Sequence, residues 1–233
     1  MKVRIHQIIE ESPRVKRFFL EPVSSSFDAF LPGQFVVLEN EKWEYPNRNR
    51  SYSIASVIQS STELELCIAL NENGVFTPWL FNLQVGDTLG CSQPQGNFTI
   101  KSDDISLSLP HVFVATGTGI APFLSMIHEV LKKSNSEIYL VYGNRVESDI
   151  LYRKYFEEIA VNSNRFKFIP VLSRQSLPSI STGYVHSQYK SILKSLGDAR
   201  IYVCGWKEMC KEARNELKAL GFNRRQYFFE QFD

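Results

Sequence analysis

Residues 112–124 read V-F-V-A-T-G-T-G-I-A-P-F-L, and the fold of the second half of the chain turns on how they are parsed. Val112 to Ala115 is an apolar run of strand length. Thr116-Gly117-Thr118-Gly119 breaks that run with turn residues. Beyond it, Ile120, Phe123, Leu124, Ile127, Val130 and Leu131 recur at helical spacing, so a helix with one buried face follows. Strand, glycine turn and helix in that order open a βαβ unit. Glycines let a ligand approach the backbone closely, and the free N–H groups at a helix start suit a phosphate. The same residues also serve an ordinary tight βα turn, and Pro122 stands where the third glycine of G-x-G-x-x-G would be.

The alternation continues downstream. Strands are expected at 112–115, 138–142, 166–172, 200–204 and 227–231, with further helices at 149–160, 185–196 and 207–220. Five strands joined by four helical crossovers imply a parallel sheet with helices on both faces. Upstream the grammar changes. Residues 2–10, 14–22, 33–40, 50–56, 64–70 and 88–94 are rich in β-branched, aromatic or alternating apolar positions. Pro32-Gly33, Asn73-Gly74 and Gly86-Asp87 punctuate them, and a short helix fits at 75–83. Six antiparallel strands close most easily as a small β-barrel, which removes exposed edges. The expected organisation is a barrel at 1–100, a polar linker at 101–109 and an α/β domain at 110–233.

Composition narrows the function. Among 233 residues, 26 Lys and Arg face 25 Asp and Glu, a formal net charge of +1. A general nucleic-acid binder needs a positive field that this chain lacks. No apolar run approaches the roughly 18 residues of a bilayer span. The start, MKVRIHQIIEESPRVKR, is charged throughout rather than built as a secretory signal. A cytoplasmic location is therefore expected. Cys67, Cys91, Cys204 and Cys210 match neither a disulfide scaffold nor zinc or iron–sulfur spacings. No metal site is expected, and any redox chemistry needs an organic cofactor.

A second cluster lies in the barrel half: Arg50-Ser51-Tyr52-Ser53-Ile54-Ala55-Ser56. An Arg can clamp a diphosphate, a Tyr ring can stack on a flat heterocycle, and a Ser hydroxyl can meet such a ring's edge. An edge strand with a solvated Arg has the same pattern. Taken together, RSYSIAS, Gly74-Val75-Phe76-Thr77, GTGIAP, Tyr142-Gly143-Asn144-Arg145 and Val203-Cys204-Gly205 resemble the ferredoxin–NADP reductase superfamily, in that family's order and over nearly the whole chain.

The resemblance implies a flavin-binding barrel followed by a nicotinamide-binding α/β domain. By position, Arg50 would bind the flavin diphosphate, Tyr52 would stack on the isoalloxazine and Ser53 would hydrogen-bond its hydride-accepting nitrogen. Gly74, Val75 and Thr77 would form the second phosphate-binding turn. A basic residue often precedes that turn in relatives, whereas here Leu70-Asn71-Glu72 does. Thr116, Gly117, Thr118 and Gly119 would cradle the nicotinamide dinucleotide. Cys204 and Gly205 would lie beside the reacting nicotinamide, although Cys204 also reads as a small buried hydrophobe. Cys67, Cys91 and Cys210 read as structural. Glu230 and Phe232 correspond to an E-x-F ending whose acid and ring sit near the flavin's reactive edge. Ser173, Arg174 and Arg145 would meet the 2′-phosphate of NADPH, which NADH lacks.

The activity implied is an FAD-dependent oxidoreductase. A hydride passes from NAD(P)H, with NADPH favoured, to FAD, and electrons go on to a separate ferredoxin, flavodoxin or oxygenase component. Free flavin as the substrate is the alternative. A non-enzymatic electron-transfer or regulatory subunit that binds one nucleotide is a third.

Overall fold

In the computed structural model, which describes residues 1–45, 47–101, 103, 105 and 109–232, two six-stranded sheets organise the chain. The chain divides into two compact units, Met1–Ile100 with Ala121–His128, and Lys101–Ile120 with Glu129–Asp233. Most of the expected 101–109 linker, and Asp233, lie outside the described residues.

In the first unit, β1 (Lys2–Ser12), β2 (Val15–Pro22), β3 (Phe35–Glu39), β4 (Asn49–Ser53), β5 (Leu64–Ala69) and β6 (Thr88–Cys91) pair antiparallel. Their order is β4-β3-β6-β1-β2-β5. Val3 and Ile5, Phe18 and Leu20, Val36 and Leu38, and Leu64, Leu66 and Ile68 enter the core at every second position. Each such side chain contributes about 1.5–3 kcal/mol by leaving water. The end strands then meet. Ile54, just beyond β4, bridges Leu66 of β5, and the Ala55 N–H donates to the Glu65 carbonyl at 2.8 Å. The sheet closes as the barrel expected from sequence. α1 (Phe76–Phe81) connects β5 to β6 and buries Phe76 and Leu80 in the same core.

In the second unit, β7 (His111–Thr116), β8 (Ile138–Asn144), β9 (Phe166–Leu172), β10 (Ser181–Thr182), β11 (Arg200–Trp206) and β12 (Tyr227–Phe232) run parallel. The helices of this half of the chain are α2 (Ala121–Lys133), whose Ala121–His128 stretch groups with the first unit, α3 (Arg153–Asn162), α4 (Val185–Leu196) and α5 (Lys207–Ala219). Val112, Val114, Val141, Ile201 and Val203 pack with Tyr189 and Leu193 of α4 and Ala213 and Leu217 of α5. The alternate residues form the opposite face. There Tyr202 stacks between Phe113 and Phe228, with ring centroids at 5.4 and 4.9 Å, and Phe156 of α3 packs on Phe166 and Phe168.

Two details depart from the sequence reading. The parallel sheet has six strands, not five, because Ser181–Thr182 adds a two-residue edge beside Val171 and Leu172. Two residues are too short to show any period. The helix expected from 149 begins at Arg153, since Glu147–Asp149 forms a separate 3-10 turn and Tyr152 takes a φ of 54°.

The sheet order β10-β9-β8-β7-β11-β12 reverses direction between β7 and β11. Ligands of open α/β sheets bind at the carboxyl ends of such a pair. Among the described residues no helix is long and apolar enough to cross a membrane.

Candidate functional site

On the barrel, alternation along β4 sets Arg50 and Tyr52 on one face. Arg50 is exposed and its Nη1 donates to the Asn49 carbonyl at 2.6 Å. Tyr52 packs on Phe76, with ring centroids 6.2 Å apart and planes at 34°. That contact brings the Gly74–Thr77 turn and α1 to β4, so two segments distant in sequence become neighbours. Ser53 ends β4 opposite Phe35 and is buried.

The Tyr52 hydroxyl is buried and has no hydrogen-bond partner among the described residues. Burial pushes its pKa up against the opposing pull of the Arg50 charge, so the phenol stays protonated. A donor left without an acceptor in this way costs about 1–3 kcal/mol. A ligand that carries a polar chain beside its flat ring can supply the acceptor in the plane of the phenol, so a flavin nucleotide fits this site. The Thr77 hydroxyl is engaged: it accepts from the Asn71 N–H at 2.9 Å and donates to the Asn71 carbonyl at 3.2 Å. A phosphate offers acceptors only, so Thr77 can donate to one only by releasing Asn71. Val75 is exposed, and Glu72 pairs with Arg14 at 3.3 Å.

On the α/β unit, the turn after β7 rests directly on the end of β11. A Cβ on Gly119 would lie 2.4 Å from the Cys204 carbonyl oxygen, and one on Gly205 would lie 2.1 Å from Thr116 Oγ1. Only glycine allows either approach. Thr116 Oγ1 also accepts the Trp206 N–H at 3.2 Å, and the Tyr142 hydroxyl donates to the Gly117 carbonyl at 2.8 Å. These contacts fix the 3-10 turn Gly117–Ile120, with Thr118 half-buried in it, at the entrance to α2. Gly117, at φ +54°, keeps one face open.

Cys204 and Glu230 are register partners on β11 and β12, with Sγ 4.0 Å from Oε2. Cys204 has no exposed surface, and its burial, then the Glu230 carboxylate, holds the thiol well above its ordinary pKa. It is a neutral S–H and not a nucleophilic thiolate. Cys210, pushed up to about 11 chiefly by burial, faces the Gly205 and Glu230 carbonyls at 3.6 Å. Phe232 pairs in register with Trp206.

The ends of β8 and β9 stay paired: the Ser173 N–H donates to Asn144 O at 3.0 Å and the Arg174 N–H to Arg145 O at 2.9 Å. Arg145 and Arg174 are therefore exposed neighbours on the sheet edge that also carries the glycine turn. The structure thus brings Thr116–Gly119, Cys204, Gly205, Glu230 and Phe232 together, and Arg145 with Ser173 and Arg174. Sequence reasoning gave no role to Trp43 and Trp79, which extend the Tyr52–Phe76 cluster, or to Tyr142 and Trp206. The readable signal for Trp206 was its place, directly after a Cys-Gly pair at a strand end.

Residues 1–100 match the family described as oxidoreductase FAD-binding domain, and residues 113–215 match the oxidoreductase NAD-binding domain. Ferredoxin–NADP reductase B of Sorangium cellulosum is 32% identical over 234 residues, covering 95% of this chain and 93% of its own length. The reductase component of propane 2-monooxygenase from Rhodococcus jostii is 28% identical over 240 residues; all of this chain is covered, but 63% of that relative. Among solved structures, Amycolatopsis cytochrome P450 reductase GcoB superposes at a TM-score of 0.87 with 25% identity, over 100% of this chain and 70% of its own.

Gly119→Ala drives a methyl group into the Cys204 carbonyl. The overpacking should cost about 1–3 kcal/mol in unfolding free energy. The shifted turn should also weaken binding of an oxidised nicotinamide dinucleotide by roughly tenfold or more. Chemical denaturation and calorimetric titration read the two effects; unchanged values would mean that the turn does not rest on β11.

Proposed function

The chain belongs to the ferredoxin–NADP reductase superfamily, and we propose on that premise that it oxidises NADPH in preference to NADH and delivers the electrons, by way of FAD, to a separate acceptor. One observation carries the reading: a single chain holds a buried Tyr52 hydroxyl, unpartnered among the described residues, beside Arg50 and, independently, a glycine cradle against Cys204–Gly205. FAD, when bound, supplies both a hydride acceptor and a one-electron donor. The protein's part is to bind, orient and exclude water.

Arg50 clamps the flavin diphosphate, and Tyr52 stacks on the ring system and gives its O–H to a flavin acceptor. Ser53 hydrogen-bonds the ring edge that receives the hydride. Gly74 and Val75 offer backbone to the diphosphate, with Thr77 after release of Asn71. Thr116–Gly119 receive the dinucleotide's diphosphate at the start of α2. Cys204, as a neutral thiol, and Gly205 border the nicotinamide, with Glu230 accepting from the thiol and Phe232 beside them. Arg145, Ser173 and Arg174 meet the 2′-phosphate. From β9 to β11 is three strand spacings, about 14 Å, which a dinucleotide spans.

The similar proteins named above serve ferredoxin and a monooxygenase. An iron–sulfur protein or an oxygenase component is accordingly the acceptor we propose, with flavodoxin the related possibility, in the cytoplasm. A second reading, in which free flavin is the substrate, draws on the engaged Thr77 hydroxyl and the acidic Glu72, both of which lower retention of the adenine half.

Arg50→Ala should weaken FAD binding by roughly tenfold or more, the loss of a charge-assisted contact of about 1.5–3 kcal/mol. NADPH-dependent reduction of ferricyanide should fall with it and return when FAD is added in excess. Unaltered FAD affinity would reject the clamp. Wild-type protein that keeps FAD through gel filtration supports the first reading; protein that emerges colourless yet reduces added flavin supports the second.

Arg174→Ala should collapse the ratio of kcat/KM for NADPH over NADH by roughly ten- to a hundredfold. A wild-type preference for NADH, or a ratio that the substitution leaves alone, would overturn the assignment of the 2′-phosphate site.

A further inference from the structure

Trp206 exposes 57% of its surface, so its ring is available to a ligand rather than committed to the core. Its backbone is fixed from two directions. The N–H donates to Thr116 Oγ1 at 3.2 Å, and the residue pairs in register with Phe232 before α5 begins. The side chain has one polar atom, the indole nitrogen, which can only donate. That Nε1 lies 3.9 Å from the place a Cβ on Gly117 would occupy, and among the described residues no other atom outside the adjoining chain comes within 4 Å of it. Outside the adjoining chain and among the described residues, the face of Gly117 left open by its positive φ is therefore approached by one group, and that group is an N–H. The indole is not needed to close the turn, because the Gly117 carbonyl is already held by the Tyr142 hydroxyl.

We propose that the Trp206 indole N–H, beside the open face of Gly117, is a diphosphate-binding donor of the dinucleotide site. The inference rests on reading the 116–119 turn as that site. A diphosphate at neutral pH presents only acceptor oxygens, the chemistry an indole N–H can meet. The ring beside the donor also displaces water from one side of the contact, which strengthens it. Because the diphosphate is common to NADPH and NADH, Trp206 sets affinity for both without choosing between them. That separates its role from the one proposed for Arg174.

The test is calorimetric titration of the FAD-loaded protein with NADP+ and with NAD+, in wild type, Trp206→Phe and Trp206→Leu. Phe keeps the ring and removes the donor, so both dissociation constants should rise by roughly tenfold with their ratio held. Leu, which removes the ring as well, should weaken binding at least as much. Unchanged affinity in the Phe variant overturns the proposal while leaving the nucleotide site standing. Tighter binding, as from an indole that occupies the cradle and must be displaced, overturns it equally, and so does an effect confined to one nucleotide. Wild-type protein that binds neither nucleotide overturns it together with the reading of the turn.

Discussion

The nucleotide half of this protein is built around one steric constraint, the direct contact between the turn after β7 and the end of β11. Backbone meets backbone there, and the two missing Cβ atoms at Gly119 and Gly205 are what permit it. The contact fixes several things at once. It sets the depth of the cradle, it positions the Thr116 hydroxyl to accept from Trp206, and it holds Cys204 beneath the turn with no exposed surface. The strands behind the contact are buried on both faces by aliphatic residues on one side and stacked aromatics on the other, so neither can yield. Such rigidity is the preorganisation that the proposed dinucleotide site would need.

The barrel solves a different problem. Its closure through Ile54 and Leu66 anchors the end of β4, and the Ser56 hydroxyl accepts from the Glu65 N–H at 2.7 Å just beyond the bridge. With the strand held, Tyr52 leans on Phe76, and its hydroxyl has no partner among the described residues. A closed core thus supports a polar group left unfinished among the described residues, the feature on which the proposed flavin site rests. The Cys204 thiol follows the opposite logic, since burial and the Glu230 carboxylate keep it protonated and chemically quiet.

Much of this was legible in the sequence because the decisive signals are local. Val112–Ala115, the glycines and the Ile120–Leu131 period announce strand, turn and helix without tertiary information, and the barrel strands alternate cleanly. β10 was not legible, since Ser181–Thr182 is a strand only by virtue of lying beside Val171 and Leu172. Within the site, Arg50, Tyr52, Gly119 and Cys204 could be singled out by type and spacing. The engagement of Thr77 by Asn71 could not, because it depends on how the 71–77 loop folds back on itself. The place of Trp206 is not legible either, because an aromatic residue at a strand end looks like core until its neighbours are known; Tyr142 stands in a legible motif, but its bond to the Gly117 carbonyl does not follow from it.

The central claim is that this chain passes reducing equivalents from a nicotinamide nucleotide to a flavin that it holds. Anaerobic titration of the FAD-loaded protein with NADPH, followed by visible absorbance, measures that step with no acceptor present. The oxidised flavin band should be lost, completely at about one equivalent of NADPH, because a hydride carries both electrons. A band that persists while calorimetry shows both nucleotides bound would contradict it and leave a binding protein in the fold of a reductase.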